Sequence, residues 1–300
     1  MKLTVRTKIA IGSSTNALAL SPDGALVAAT SFDQKLRVFE TAGMTLRKAL
    51  HLGTSFPNAV CFAPDGGRVA SGGKALTVFD TTTWKKGASL KGHRHEIQGA
   101  DFSPDGARAY TASGNNYTPS DWTARAWDAA TGAALWKYKL PRTATAVAAS
   151  PDGRWVAAAD CTGVVALLDA ATGEAAWTSK VADWVYRLRF TPKGDAILTA
   201  GDARALHVVS VADGAVRAIP TPTASRSLAL TPDGAVVLLA GTDYGVPVPV
   251  RAVDLATGSV RDVAPALGRL PQGAALSPDG ATYYVLVNEP DELVVFNVSR

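Results

Sequence analysis

Apolar and polar residues alternate along this chain in short runs, and successive pairs of runs bracket a turn. The first pair is Ala17-Leu18-Ala19-Leu20 and Ala25-Leu26-Val27-Ala28-Ala29, with Ser21-Pro22-Asp23-Gly24 between them. Proline presets φ near −65°, Asp bonds the backbone that follows it, and Gly accepts a positive φ. The pattern therefore predicts two strands joined by a tight hairpin. The tetrapeptide returns as Ala63-Pro64-Asp65-Gly66, Ser103-Pro104-Asp105-Gly106, Ser150-Pro151-Asp152-Gly153, Thr191-Pro192-Lys193-Gly194, Thr231-Pro232-Asp233-Gly234 and Ser277-Pro278-Asp279-Gly280. The seven prolines lie 42, 40, 47, 41, 40 and 46 residues apart. A period near 40–45 residues is that of one four-stranded propeller blade.

A second feature follows each hairpin 15 to 23 residues past the proline: a strand ending in a large apolar residue, often with an acid next. It reads Phe39-Glu40, Phe79-Asp80, Trp127-Asp128, Leu168-Asp169 and Val253-Asp254, with Val209-Ser210 and Phe296-Asn297 as variants. Each unit thus runs strand a, Pro-Asp-Gly turn, strand b, variable loop, strand c, Gly turn, strand d. The seventh unit stops at its strand c, while an unassigned alternating strand (Leu3, Val5, Thr7, Ile9, Ile11) precedes the first unit. Pairing strand 2–11 with the last unit, 281–298, gives seven complete blades and closes the ring, which removes open sheet edges. The expected fold is one all-β domain over 1–300, a seven-bladed propeller of four-stranded antiparallel blades.

These residues resemble the WD-repeat family over essentially the whole chain, and the loose, Ala-rich repeats look like bacterial WD-like propellers. Only the third unit carries the full signature, with Gly92-His93 before strand a, Trp127-Asp128 ending strand c, and Asp121 six residues before the Trp. The resemblance implies a hydrogen-bonded tetrad of His93, Thr111, Asp121 and Trp127. The other six units lack the Gly-His pair, and only Asp33 repeats the Asp spacing, so their blades are expected to rest on apolar packing.

Composition narrows the function. Of 300 residues, 47% are hydrophobic and 19% charged, and the net charge is only +4. That supplies a large core and gives no strong push toward nucleic acid. Cys61 and Cys161 form no CxxC or Cys/His cluster, so free thiols in a reducing compartment are expected. The first residues lack the apolar stretch of a signal peptide, and no run approaches 18 apolar residues, so the expected location is the cytoplasm, away from membranes.

No catalytic constellation emerges. The turn aspartates are accounted for by turn capping, and His51, His93, His95 and His207 show no metal-ligand spacing. No GxSxG elbow occurs. The segment Gly67 to Lys74 fails the spacing of a phosphate loop and falls on a strand b. Neither a metal nor another cofactor is expected.

The b–c loops and d–a loops share one face, the top, and the b–c loops vary there. The third carries Asn115-Asn116-Tyr117-Thr118-Pro119-Ser120 and Trp122, the sixth Thr242-Asp243-Tyr244-Gly245, the seventh Asn288-Glu289-Pro290-Asp291. Uneven loops on one face of a repeat array often mark the binding face. Six residues before each turn proline, strand a reads Asn16, Asn58, Gln98, Thr145, Tyr186, Arg226 and Gln272. This polar ring, expected at the channel mouth, joins Phe32, Phe56, Trp122, Trp184 and Tyr244 as the candidate recognition surface. Strand ends meet water and are polar on that ground alone, which competes with the recognition reading.

The sequence therefore points to a non-catalytic module that binds a protein or peptide through its top face, alone or as a subunit of a larger complex. The alternatives are a lactonase-like or lyase-like propeller enzyme with its site at the channel mouth, and a nucleic-acid or small-ligand binder. The polar ring holds neither His nor carboxylate, which weakens the enzyme alternative.

Overall fold

A computed structural model describes residues 1–54, 56–117, 121–243 and 245–299. The chain forms seven antiparallel sheets in a ring, each built on four strands in simple a-b-c-d order, the sixth with a short fifth strand off that path, and no helix occurs among the described residues. Strands a of blades 1 to 7 are Thr15–Leu20, Ala59–Phe62, Ile97–Phe102, Ala144–Ala149, Val185–Phe190, Ser225–Leu230 and Leu270–Leu276. They surround the axis and border the central bore. Blade 7 is completed by Lys2–Ala10, which pairs antiparallel with Glu292–Ser299. Ile11 N–H extends that pairing to the Asp291 carbonyl at 2.9 Å.

Where a Pro-Asp-Gly turn opens on Ser or Thr it is a small closed network; of that network the second turn, which opens on Ala63, keeps only the Gly67 N–H to Asp65 bond. In the first, Ser21 Oγ donates to Asp23 Oδ1 at 2.6 Å, Asp23 Oδ1 accepts Ala25 N–H, and Leu26 N–H donates back to Ser21 Oγ. In blade 5, where Lys193 replaces the aspartate, Thr191 Oγ1 donates instead to Asp195 at 2.5 Å. The turn glycines hold φ between 67° and 73°, a region costly for other residues. The glycine of each turn sits against the turn proline of the preceding blade: a Cβ on Gly24 would lie 2.9 Å from Pro278 Cδ, joining the first turn to the last.

The core lies between blades. Seven apolar clusters each combine residues of two neighbouring blades. The large residue ending each strand c is the plug of one interface: Phe39, Phe79, Trp127, Leu168, Val209, Val253 and Phe296 are all buried. Outer hydrogen bonds add to this packing. Trp136 Nε1–H in strand d of blade 3 donates to the Ala170 carbonyl of blade 4, and Trp177 Nε1–H repeats the contact to Val211 of blade 5.

Candidate functional site

The four tetrad residues form one connected chain in blade 3. Trp127 Nε1–H donates to Thr111 Oγ1 at 2.8 Å, Thr111 Oγ1 lies 2.7 Å from His93 Nε2, and His93 Nδ1 lies 2.9 Å from Asp121 Oδ2. A single consistent direction satisfies every atom: indole to hydroxyl, hydroxyl to Nε2, Nδ1–H to carboxylate, with the imidazole neutral. Burial pushes the His93 pKa below 6.5 despite the neighbouring Asp121, in keeping with that assignment. At Asp121, burial favours the neutral acid, but donors from His93, Thr123 Oγ1 and Arg94 N–H prevail and hold the carboxyl well below the usual range. Arg125 Nη2 adds a fourth donor at 3.0 Å. Blade 1 keeps the acid half of this arrangement, with Asp33 held by Arg37 and Ser31 and no histidine. The network fixes the d–a loop before blade 3 to its b–c loop. It is structural, and it lies away from the bore.

The top face presents separate aromatic groups. Phe32 and Phe56, each almost half exposed, meet edge to face at 5.7 Å across the blade 1–blade 2 joint. Trp122 lies under the Arg142 guanidinium at 5.3 Å and donates its indole N–H to the Asn115 carbonyl. Trp184 stacks on Tyr186 at 5.8 Å, and Arg226 lies 4.6 Å from the centre of the Tyr186 ring. Tyr117 in the third b–c loop is 92% exposed. Tyr244 and Thr118-Pro119-Ser120 lie outside the described residues. The sixth b–c loop otherwise forms a hairpin extension in which Thr242 and Asp243 pair with Val246–Pro247.

The seven polar positions differ in their contact with the bore. Asn58, Gln98, Thr145 and Tyr186 line its upper segment, a cavity of about 240 Å³, whereas Asn16, Arg226 and Gln272 do not. Asn58 Nδ2 donates to Gln98 Oε1 at 3.2 Å, while Thr145 turns its hydroxyl to the Ala159 carbonyl. Six of the seven positions, lining and non-lining alike, share a bulge: the strand a register shifts across the residue, for instance between Thr15 and Ala17 and between Val185 and Arg187. A bulged residue leaves the ladder and re-aims its side chain, so the alternation counted from the proline changes phase there. Strand a also borders the bore with its free edge, so residues of both parities reach it.

Two groups of bore residues therefore escaped the sequence reading. Five residues before each proline, strand a carries Ala17, Ala59, Gly99, Ala146, Arg187, Ser227 and Gly273; three before, it carries Ala19, Cys61, Asp101, Ala148, Arg189, Ala229 and Ala275. Arg187, Arg189 and Asp101 stand out in columns of small residues, and a tabulation of every strand a column would have exposed them. Arg189 and Asp101 border both the upper cavity and a lower one of about 450 Å³ that ends at the ring of turn prolines. No cluster of three metal-ligating side chains occurs among the described residues.

Ring, turns and tetrad together define a WD-type seven-bladed propeller. Residues 7–40 and 84–128 match the family model described as WD domain, G-beta repeat. Residues 120–294, more than half of the chain, match the PQQ_2 model, described as outer membrane protein assembly factor BamB. The chain belongs to that propeller family and carries WD repeats.

Proposed function

We propose that the protein is a non-catalytic interaction module that docks a protein or peptide on its top face. The observation that carries this reading is the asymmetry between the two faces. The bottom is a set of near-identical turns whose polar atoms bond one another, as in Ser103 with Asp105 and Ser277 with Asp279. The top holds Phe32 with Phe56, Trp122 with Arg142, and Trp184 with Tyr186 and Arg226. Aromatic and Arg side chains of this kind are the usual anchors of protein interfaces. WD repeats and a family described by an assembly factor both support a scaffold role.

The test is site-specific photo-crosslinking in the native host. A crosslinker at Phe56 should trap a partner, one at Lys193 on the bottom should not, and Trp184→Ala with Phe32→Ala should abolish the Phe56 product. Crosslinks from the bottom alone would overturn the reading. We also assign the protein to the cytoplasm, on the support of its free cysteines, Cys61 and Cys161. The description of the matched family names the outer membrane, so cell fractionation decides between the two compartments.

A further inference from the structure

Arg187 projects from blade 5 into the bore and reaches a blade that is not its neighbour. Its Nη1 donates to the Tyr186 carbonyl at 2.8 Å, and its Nη2 donates to the Gln272 carbonyl of blade 7, two blades away. A side chain can span blade 5 to blade 7 only across the bore, so the guanidinium stands in it. These bonds use two of the five N–H groups an Arg carries. Arg189 follows on the same strand and opens to the bore one step lower.

The local charge is unbalanced. No carboxylate lies within ion-pair distance of Arg187, Arg189 or Arg226 among the described residues. Burial, then the charges of Arg189 and Arg226, bring the Arg187 pKa down to about 10. The acids that face this group do little to offset it. Burial pushes the Asp101 carboxyl up, against Ala149 N–H and Arg189, and Asp202 is engaged by the Tyr186 hydroxyl at 3.0 Å. Like charges gathered in a partly buried place repel with little screening. A guest of opposite charge relieves that repulsion and takes up the remaining donors.

We propose that the upper bore is a binding site for a small oxyanion-bearing molecule, held by Arg187 and Arg189. A cavity of about 240 Å³ is at the small end for organic ligands and suits a phosphate, sulfate or short dicarboxylate, not a polypeptide segment. Asn58 and Gln98 at the rim add amide donors for the part of the guest nearest the mouth. The proposal is independent of docking on the top face.

The test is calorimetric titration of the full chain with inorganic phosphate, sulfate and malonate at constant ionic strength. At least one should bind with Kd on the order of 1 mM or tighter, and the preferred anion identifies the headgroup chemistry. Arg189→Gln, whose side chain makes no hydrogen bond within the protein among the described residues, should weaken that binding about tenfold or more while leaving the melting curve unchanged. Arg187→Gln should weaken binding likewise but lower the melting temperature, because it loses the bonds to Tyr186 and Gln272, and Arg47→Gln on the outer strand should bind like the parent. If Arg187→Gln fails to fold, Arg189→Gln alone decides. Absence of binding by all three anions up to about 10 mM, or unchanged binding in Arg189→Gln, would overturn the proposal.

Discussion

Asn288 and Thr15 are 273 residues apart in sequence and clasp each other at the joint between the last blade and the first. Asn288 Oδ1 accepts both the backbone N–H of Thr15 at 2.7 Å and its Oγ1 at 2.8 Å, and Asn288 Nδ2 donates to the Thr15 carbonyl at 3.1 Å. Both residues are buried, so every donor and acceptor in the clasp has been withdrawn from water. The clasp reinforces on the inner side what the Lys2–Ala10 pairing does on the outer side.

Asn288→Ala should therefore destabilise the protein by about 2–3 kcal/mol, because it strands the buried Thr15 groups as well as removing the amide. Urea unfolding measures this. A loss under about 0.5 kcal/mol would show that the joint does not need the clasp.

Thr111→Val should cost about 1–3 kcal/mol, since it leaves the Trp127 indole N–H and a His93 nitrogen without partners. Combined with Trp127→Phe, the losses should fall short of additive, because both changes break the same chain. Strict additivity would contradict the connected network.

Acidification should act first through His93. Its folded pKa is below 6.5, so on lowering pH the unfolded chain takes up the proton before the folded one. The stability present above pH 6.5 is then lost as pH falls toward the folded value. His207, lowered by burial, acts in the same sense. Asp121 adds a second loss: its contribution is full above 3.8 and disappears as pH falls through its lowered folded value. Unfolding free energies at about pH 7.5 and about pH 5.5 should differ less in His93→Gln than in the parent protein.

Gly24→Ala should be more damaging than Gly66→Ala. Both sites have positive φ, 73° and 69°, and share that strain of about 1 kcal/mol. At Gly24 the new methyl also meets Pro278 at 2.9 Å, whereas at Gly66 the nearest atom, of Pro22, is 4.0 Å away. Equal melting temperatures for the two variants would refute the contact as a source of strain.

The blade number and the ring closure were legible in the sequence because turns impose local residue choices. Proline, Asp and Gly must recur wherever the backbone makes the same tight reversal, and an alternating strand without a hairpin partner must find one elsewhere. The tetrad was legible through resemblance, because His93, Asp121 and Trp127 keep recognisable spacings. The bore was not. Strand a borders it with a free edge, so consecutive residues of both parities reach it, and the alternation that marks a strand gives no sign of that. Alternation therefore points to the column beginning with Asn16 and not to Arg187 and Arg189. The clasp at Asn288 was hidden for a different reason. It sits at the end of a strand beside an irregular loop, and its partner becomes apparent only when blade 7 is set against blade 1.

The strand Lys2–Ala10 is made well before its partner Glu292–Ser299, with all the other strands of the ring between them. At about 5–20 residues per second, the early strand waits on the order of tens of seconds with its hydrogen-bonding groups unengaged. Throughout that delay it is a bare β-edge, the kind of segment that recruits copies of itself on neighbouring ribosomes. Its sequence carries Lys2, Arg6 and Lys8. Three positive charges spread along so short a stretch make two such strands repel, so the waiting edge is guarded until its own chain supplies the mate.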